Sequence, residues 1–358
     1  MRVLIITNLF GNNRQGYDLA DALRKRGCRV RLVQFACKSE PDVGNYGVRY
    51  IQPHGLFSKF HVLRNILAIA SKSLFFRSDK VVCMGAVLLP LAGILKFLNN
   101  AKLIYYSLEY CSYGCVGRCV LRSIVGGYID VEEHRKNRLF DELKINKPAL
   151  VVYNMPPLTN DEFHGGGLRQ YLRSNFGLSG QEKIAIYAGS YQSYSCLENI
   201  VSASKVFPAG IVLVLMIPRG LPSHFDVKSD NVFTVPAQSG DEFYNWLAEA
   251  DGALLPYESN DDFNVQNCSP QKLFDCYRVG VPYLASRRPL IETIHADLPD
   301  AGCFCDYTDI KAIAEGVKKL MSKKSALLSK SMVALYRDKY NYSAYEGKLY
   351  DFICEDGI

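Results

Sequence analysis

Lys272 and Asp275 stand one helical turn apart in the stretch NCSPQKLFDCYRVGVP, which runs from Asn267 to Pro282. Pro270 opens that run, an amphipathic helical pattern follows, and Gly280 and Pro282 close it. A lysine beside the exposed N–H groups of a helix N-terminus suits an anion such as a phosphate, because dipole and ammonium both favour negative charge. Upstream, AEADGALLPY (Ala248 to Tyr257) reads as a buried strand ending in a turn. Downstream, VPYLAS (Val281 to Ser286) reads as the next strand. The polar loop and helix therefore belong at the carboxyl edge of a parallel sheet, where open α/β folds take their ligands.

A second phosphate-sized feature lies in KIAIYAGSYQSYSCLENIVSA. Its strand ends at Gly189 and Ser190 before a helix begins, so backbone N–H groups are open to a diphosphate with no Cβ in the way at the glycine. The same turn occurs in many parallel sheets that bind nothing there. The following loop, Tyr191, Gln192, Ser193 and Tyr194, carries no cation, so positive charge must come from elsewhere: from Lys272, or from Arg219 in the MIPRG turn, Arg287 or Arg288. Each of these has a plain alternative as a solvent-facing side chain.

In the first half of the chain, Glu109 ends the strand-like run KLIYYSLE, and a strand-end carboxylate can orient or deprotonate a hydroxyl. An ordinary ion pair is the alternative. Asn8 and Gly11 follow the first strand at the corresponding edge, and Glu133, His134 and Arg135 follow another.

Taken together, these residues resemble GT-B glycosyltransferases, family 4 in particular, in which a similar Pro-x-Lys-x-x-acid-x-x-x-x-Gly-x-Pro run holds a nucleotide-sugar donor. The resemblance implies two Rossmann-like domains facing a cleft, with the last helix crossing back to the first domain. It implies that Gly189 and Ser190 face the donor diphosphate, that Lys272 stabilises the leaving group, and that Asp275 accepts hydrogen bonds from the ribose. Asn267, eight positions earlier, stands where the family usually has a glutamate, and a Ser-Pro-x-Lys loop like that of Ser269 to Lys272 occurs in a subset of the family. Arg219 completes the donor side, and Asn8, Gly11 and Glu109 form the acceptor side. The resemblance further implies transfer with retention, no metal and no cofactor, a UDP- or GDP-sugar as substrate, and a glycan or lipid-linked acceptor in surface polysaccharide synthesis. Because Asn267 replaces a carboxylate, a non-catalytic partner subunit that scaffolds an active transferase is the alternative.

The elements required to position these residues are legible. The chain opens β-α-β with MRVLIITNLF, GYDLADALRKRG and RVRLVQF, and α/β alternation continues to Asn154. The segment NMPPLTNDEFHGGG has no apolar period and reads as a boundary. We expect an acceptor domain over 1–155, a linker over 156–182, a donor domain over 183–335 and a returning helix over 336–358.

At 358 residues, 48% hydrophobic and 22% charged, the chain is long enough for two cores and too apolar to be disordered. The twelve cysteines are scattered; Cys111, Cys115 and Cys119 recur every four residues, a spacing unlike that of zinc knuckles. No apolar run is long enough to span a bilayer, and the N-terminus lacks a signal-peptide pattern, so we expect a cytoplasmic protein. The net charge of +6 hides an asymmetry: residues 1–155 hold 23 Lys or Arg against 11 Asp or Glu, net +12, and the remainder 19 against 25, net −6. The basic half suits an anionic partner, and the basic segment Phe57 to Arg77 reads either as a helix packed on the sheet or as a peripheral contact with an anionic membrane. The turn after the first strand lacks Gly-x-Gly-x-x-Gly, which disfavours a nicotinamide dehydrogenase, and no nucleic-acid-binding module is visible.

Overall fold

The computed structural model describes residues 1–7, 14–35, 49–51, 71, 76–110, 113–158, 163, 165–218, 220–222, 225, 227, 229–258 and 262–355. Asn8, Gly11, Arg219, Cys111 and most of Phe57 to Arg77 lie outside the described residues.

Parallel strands covered on both faces read as continuous apolar runs, and the runs noted above form two such sheets. In the first, β1 (Arg2–Thr7), β2 (Arg29–Phe35), β3 (Arg49–Ile51), β4 (Lys80–Met84), β5 (Lys102–Ser107), β6 (Gly127–Asp130) and β7 (Ala149–Val151) are ordered β3-β2-β1-β4-β5-β6-β7. The second orders β8 (Lys183–Ala188), β9 (Ile211–Met216), β10 (Val232–Val235), β11 (Gly252–Leu255), β12 (Tyr283–Ala285) and β13 (Gly302–Phe304) as β10-β9-β8-β11-β12-β13. Every pairing is parallel. In each sheet the strand order reverses beside the first strand, between β1 and β4 and between β8 and β11. Helices on either side of that point diverge to opposite faces and open a crevice at the carboxyl ends of the two strands.

The chain divides into two units, Met1–Pro157 with Tyr342–Ile358, and Leu158–Asn341. Alternation along β1 shows how the first is covered. Val3 and Ile5 face Leu19 and Leu23 of the Arg14–Lys25 helix together with Leu349 and Ile353 of the Glu346–Cys354 helix. Leu4 and Ile6 face the opposite core, with Leu89, Leu95 and Leu121. The final helix is thus a structural part of the first unit. Leu349 and Ile353 are fully buried, each contributing roughly 1.5–3 kcal/mol, and Lys25 pairs with Glu346 at 2.9 Å.

Two expectations about element limits change. The presumed linker 156–182 contains a helix, Leu168–Phe176, whose Leu168 and Leu172 are buried. Arg169 of that helix holds Asp251 at 2.9 Å, so the segment is built into the second unit. The strand read as KLIYYSLE stops at Ser107, and Glu109 falls in the bend beyond it.

In the second unit the Gln271–Val279 helix ends as its sequence requires. Gly280 adopts φ +70 and its carbonyl accepts the Ser329 hydroxyl at 2.7 Å. A Cβ at Gly280 would meet the Ser329 backbone oxygen at 2.7 Å, a contact that no rotamer change relieves. Gly280→Ala should therefore lower unfolding free energy by about 2 kcal/mol or more, measured by urea denaturation. An unchanged midpoint would show that the helix end tolerates a side chain.

Candidate functional site

The carboxyl end of β8 and the start of the Gln271–Val279 helix, which follows β11, meet at the switch point of the second sheet, where Ala185 and Ile186 pair with Gly252 and Ala253. Gly189, the first residue past β8, has φ +155, and a Cβ built there would lie 2.5 Å from Lys272 Cε and 2.6 Å from Nζ. The glycine therefore serves two purposes: it turns the chain and leaves room for the lysine tip. Its N–H is donated to the Met216 carbonyl at 3.0 Å. Ser190 is exposed, and its N–H has no hydrogen-bond partner among the described residues. Its carbonyl accepts from the Tyr187 hydroxyl at 2.7 Å, which fixes the turn.

Lys272 Nζ sits 4.1 Å from the centroid of the Tyr187 ring. Among the described residues no carboxylate lies in ion-pair contact with it. Burial against the ring and the turn removes water from the ammonium and pushes its pKa down to about 8, with Cys268, Cys276 and Asp275 acting in the opposite direction. A cation held this way gains when an anion arrives.

Asp275 lies one turn further along and is only 4% exposed. Its Oδ1 accepts the Tyr244 hydroxyl at 3.0 Å, and the Arg278 guanidinium stacks 3.8 Å from the centre of the same ring. Lys272 and Asp275 share the lining of a cavity of ≈ 20 Å³ with Ala188, Ala253 and Leu255, about the room a single water needs. The aspartate therefore acts from within the packing and is not an open acceptor. Asn267 and Ser269 are also buried. Asn267 Nδ2 donates to the Phe263 carbonyl at 3.1 Å and closes the short helix Phe263–Gln266.

Arg287 and Arg288, the other cations considered, are engaged structurally. Arg288 donates to the Tyr257 and Glu258 carbonyls and secures the loop after β11, and Arg287 pairs with Glu292 at 2.6 Å. Sequence reasoning missed Tyr187 and Tyr257. Tyr257 stacks on Tyr194, with centroids 6.1 Å apart and planes at 14°, and burial holds its hydroxyl well above the usual tyrosine range. The signal was the tyrosine density around the YAGSYQSY turn.

Glu109 belongs to the first unit, is exposed, and has no hydrogen-bond or ion-pair partner among the described residues. The buried acid at that sheet edge is instead Asp130, the last residue of β6. It accepts from the Val131 and Glu132 N–H groups at 2.7 and 3.1 Å, and burial raises its pKa to about 6 although Arg135 opposes the shift. Glu132 caps the next helix by accepting from Arg135 N at 2.8 Å. Cys115 and Cys119 are exposed, and among the described residues no three His, Cys, Asp or Glu side chains gather as a metal site would need.

No protein-family model matches the sequence, and the curated proteins include no similar sequence. Solved structures do match over nearly the whole chain. Sucrose-phosphate synthase from Thermosynechococcus elongatus superposes with a TM-score of 0.73 at 14% identity, covering 98% of both chains. A glycosyltransferase from Rickettsia africae gives 0.72 at 13% identity over 99% of both. HepE of Anabaena, solved with UDP and glucose, gives 0.71 at 12% identity over 98% of both.

The lysine assignment has a direct check. With lysines carrying 13C-methyl groups, the Lys272 resonance should titrate with a midpoint near pH 8, well below those of exposed lysines, and Asp275→Asn should move it lower still. A midpoint near 10.5 would remove the desolvated ammonium from the site. The two sheets with their strand orders, the helix returning to the first unit and these superpositions establish the GT-B fold for this chain.

Proposed function

We propose that this protein is a glycosyltransferase that takes a sugar from a nucleotide-sugar donor held by the second unit and passes it to a hydroxyl acceptor held by the first. The observation that carries the reading is Lys272, a desolvated ammonium without a carboxylate partner among the described residues, lodged against Gly189 at the switch point of the sheet. Support comes from the fold, which is shared with a HepE structure that contains UDP-glucose.

In this reading Lys272 and the Ser190 N–H receive the donor diphosphate. As the bond between the anomeric carbon and the β-phosphate oxygen breaks, negative charge builds on that oxygen, and the ammonium stabilises it in a poorly solvated setting where the interaction is strong. The acceptor oxygen bonds to the anomeric carbon from the face the phosphate leaves, which retains configuration, and its proton passes to the departing phosphate. The lysine supplies the positive charge that a divalent ion would otherwise bring. Tyr187 and Gly189 hold the ammonium in place. Asp275, turned toward Tyr244, tunes Lys272 electrostatically rather than gripping the ribose. A hexose from UDP or GDP and a glycan or lipid-linked acceptor fit this scheme.

A second reading is a GT-B subunit that scaffolds an active transferase. It is favoured by Asn267, whose amide is committed to the Phe263 carbonyl, and by the seclusion of Asp275. Calorimetry with UDP- and GDP-sugars separates the two: a scaffold binds neither and hydrolyses neither.

Lys272→Ala should reduce kcat/KM at least about 100-fold, as loss of one preorganised charge contact commonly does. The fold should not suffer. Because burial lowers the lysine's pKa, its charge costs stability at neutral pH, so the melting temperature should stay or rise. A variant that keeps wild-type turnover would contradict the assignment.

Proton linkage gives an independent reading. Above pH 8 the free lysine is largely neutral, and a bound diphosphate raises its pKa, so donor binding at pH 8.5 should take up a proton. Calorimetry in two buffers of different ionisation enthalpy measures the uptake. Equal heats in both would place the diphosphate away from Lys272.

A further inference from the structure

The helix Leu89–Asn99 of the first unit, LPLAGILKFLN, carries one charged residue, Lys96, and is apolar over most of its circumference. Leu89, Leu91, Ala92 and Leu95 are buried in the unit's core, as an amphipathic helix demands. The opposite stripe should then be polar, and it is not. Pro90, Ile94, Phe97 and Leu98 recur at i, i+4, i+7 and i+8, within one third of a helical turn, and all four are exposed. Ile94, Phe97 and Leu98 stand 57–67% exposed.

The neighbouring helix Cys115–Cys119, with the π turn Val120–Ile124 that continues it, runs alongside: Gly117 approaches Leu89, and Gly93 approaches Val120 and Ile124. It adds Val116, also more than half exposed, to the same apolar surface. Cations outnumber acids along this stretch. Between Lys80 and Asp130 the sequence holds Lys96, Lys102, Arg118 and Arg122 against one acid, Glu109. Lys96 Nζ lies 4.8 Å from the Phe97 ring centre, and Arg118 and Arg122 are exposed.

An apolar stripe beside an excess of cations matches one kind of surface best: an anionic lipid leaflet, whose headgroups meet the cations while its acyl boundary receives the apolar side chains. A protein partner complementary to it would need an apolar patch ringed with acids. At eleven residues the helix is about 16 Å long, roughly half the thickness of a bilayer's hydrocarbon core, so it can lie in the interface but not cross it. No helix among the described residues is long and apolar enough to cross.

We infer that the first unit docks on anionic membranes through the outer face of the Leu89–Asn99 helix, with Ile94, Phe97 and Leu98 inserted at the acyl boundary and Lys96, Arg118 and Arg122 on the headgroups. This surface is distinct from the basic segment Phe57 to Arg77 that the sequence alone singled out. The inference stands independently of the proposed transferase activity.

The test is co-sedimentation of the full chain with vesicles of phosphatidylcholine alone and of phosphatidylcholine carrying 30% phosphatidylglycerol, mixtures that contain no glycan acceptor. We expect partitioning onto the anionic vesicles that weakens with salt. Ile94→Glu with Phe97→Glu should lower it about tenfold or more, and Arg118→Glu with Arg122→Glu should lower it selectively on the anionic vesicles. Because all four side chains are exposed, thermal melts of both variants should match the parent. Failure to sediment with anionic vesicles, or binding unchanged by the Ile94 and Phe97 substitutions, would overturn the proposal. So would sedimentation velocity that showed a dimer abolished by the same substitutions, which would assign the face to a second copy of this chain.

Discussion

A positively charged nitrogen held away from water, without a carboxylate partner among the described residues, is the interaction on which the proposed function turns. Lys272 reaches that position because three independent choices agree. The glycine after β8 leaves room for its tip, the ring of Tyr187 provides a polarisable floor, and a helix beginning after Pro270 delivers the side chain from the other side of the crevice. Each choice is sensible only at a switch point, where strands β8 and β11 lie side by side and their following segments part. The cost of desolvating the charge is carried by the surrounding apolar packing, and in the proposed function the donor diphosphate offsets it.

The tyrosine hydroxyls around this nitrogen do structural work. Tyr187 ties its own turn, Tyr244 occupies Asp275, and Tyr194 lies flat on Tyr257. Wide aromatic rings with a single polar tip let a crevice floor be largely dry while the Tyr187 and Tyr244 hydroxyls keep their bonds. That combination keeps the local dielectric low, which in the proposed reaction strengthens the hold of a single ammonium on developing phosphate charge.

The sequence made the second sheet and its motif legible because punctuation and period coincide there. Pro270 and Gly280 bracket one helix, IVLVLM is an unbroken buried strand, and Gly189 ends another. What stayed hidden depends on partners far along the chain. The occupation of Asp275 is set by Tyr244, 31 residues away, and the occupation of the Gly189 N–H by the Met216 carbonyl. Local pattern contains neither fact. Glu109 was read as the end of the strand because KLIYYSLE is apolar up to its last letters. β5 nonetheless stops at Ser107, where it pairs with Asp130 at the end of β6, and the buried acid belongs to that neighbouring strand. The helix Leu168–Phe176 was missed because the glycines before it outweighed its short apolar period.

The place of Glu346–Cys354 in the first unit has a bearing on how the protein comes into being. Val3 and Ile5 of β1 are covered in part by Leu349 and Ile353, which lie far along the chain from them. During translation that face of the sheet has the Arg14–Lys25 helix to cover it and gains the rest of its cover only after the second unit has emerged. The second unit, uninterrupted from Leu158 to Asn341, has no such wait. Assembly of the first unit therefore finishes after that of the unit inserted in it, against the order in which domains usually mature along a chain.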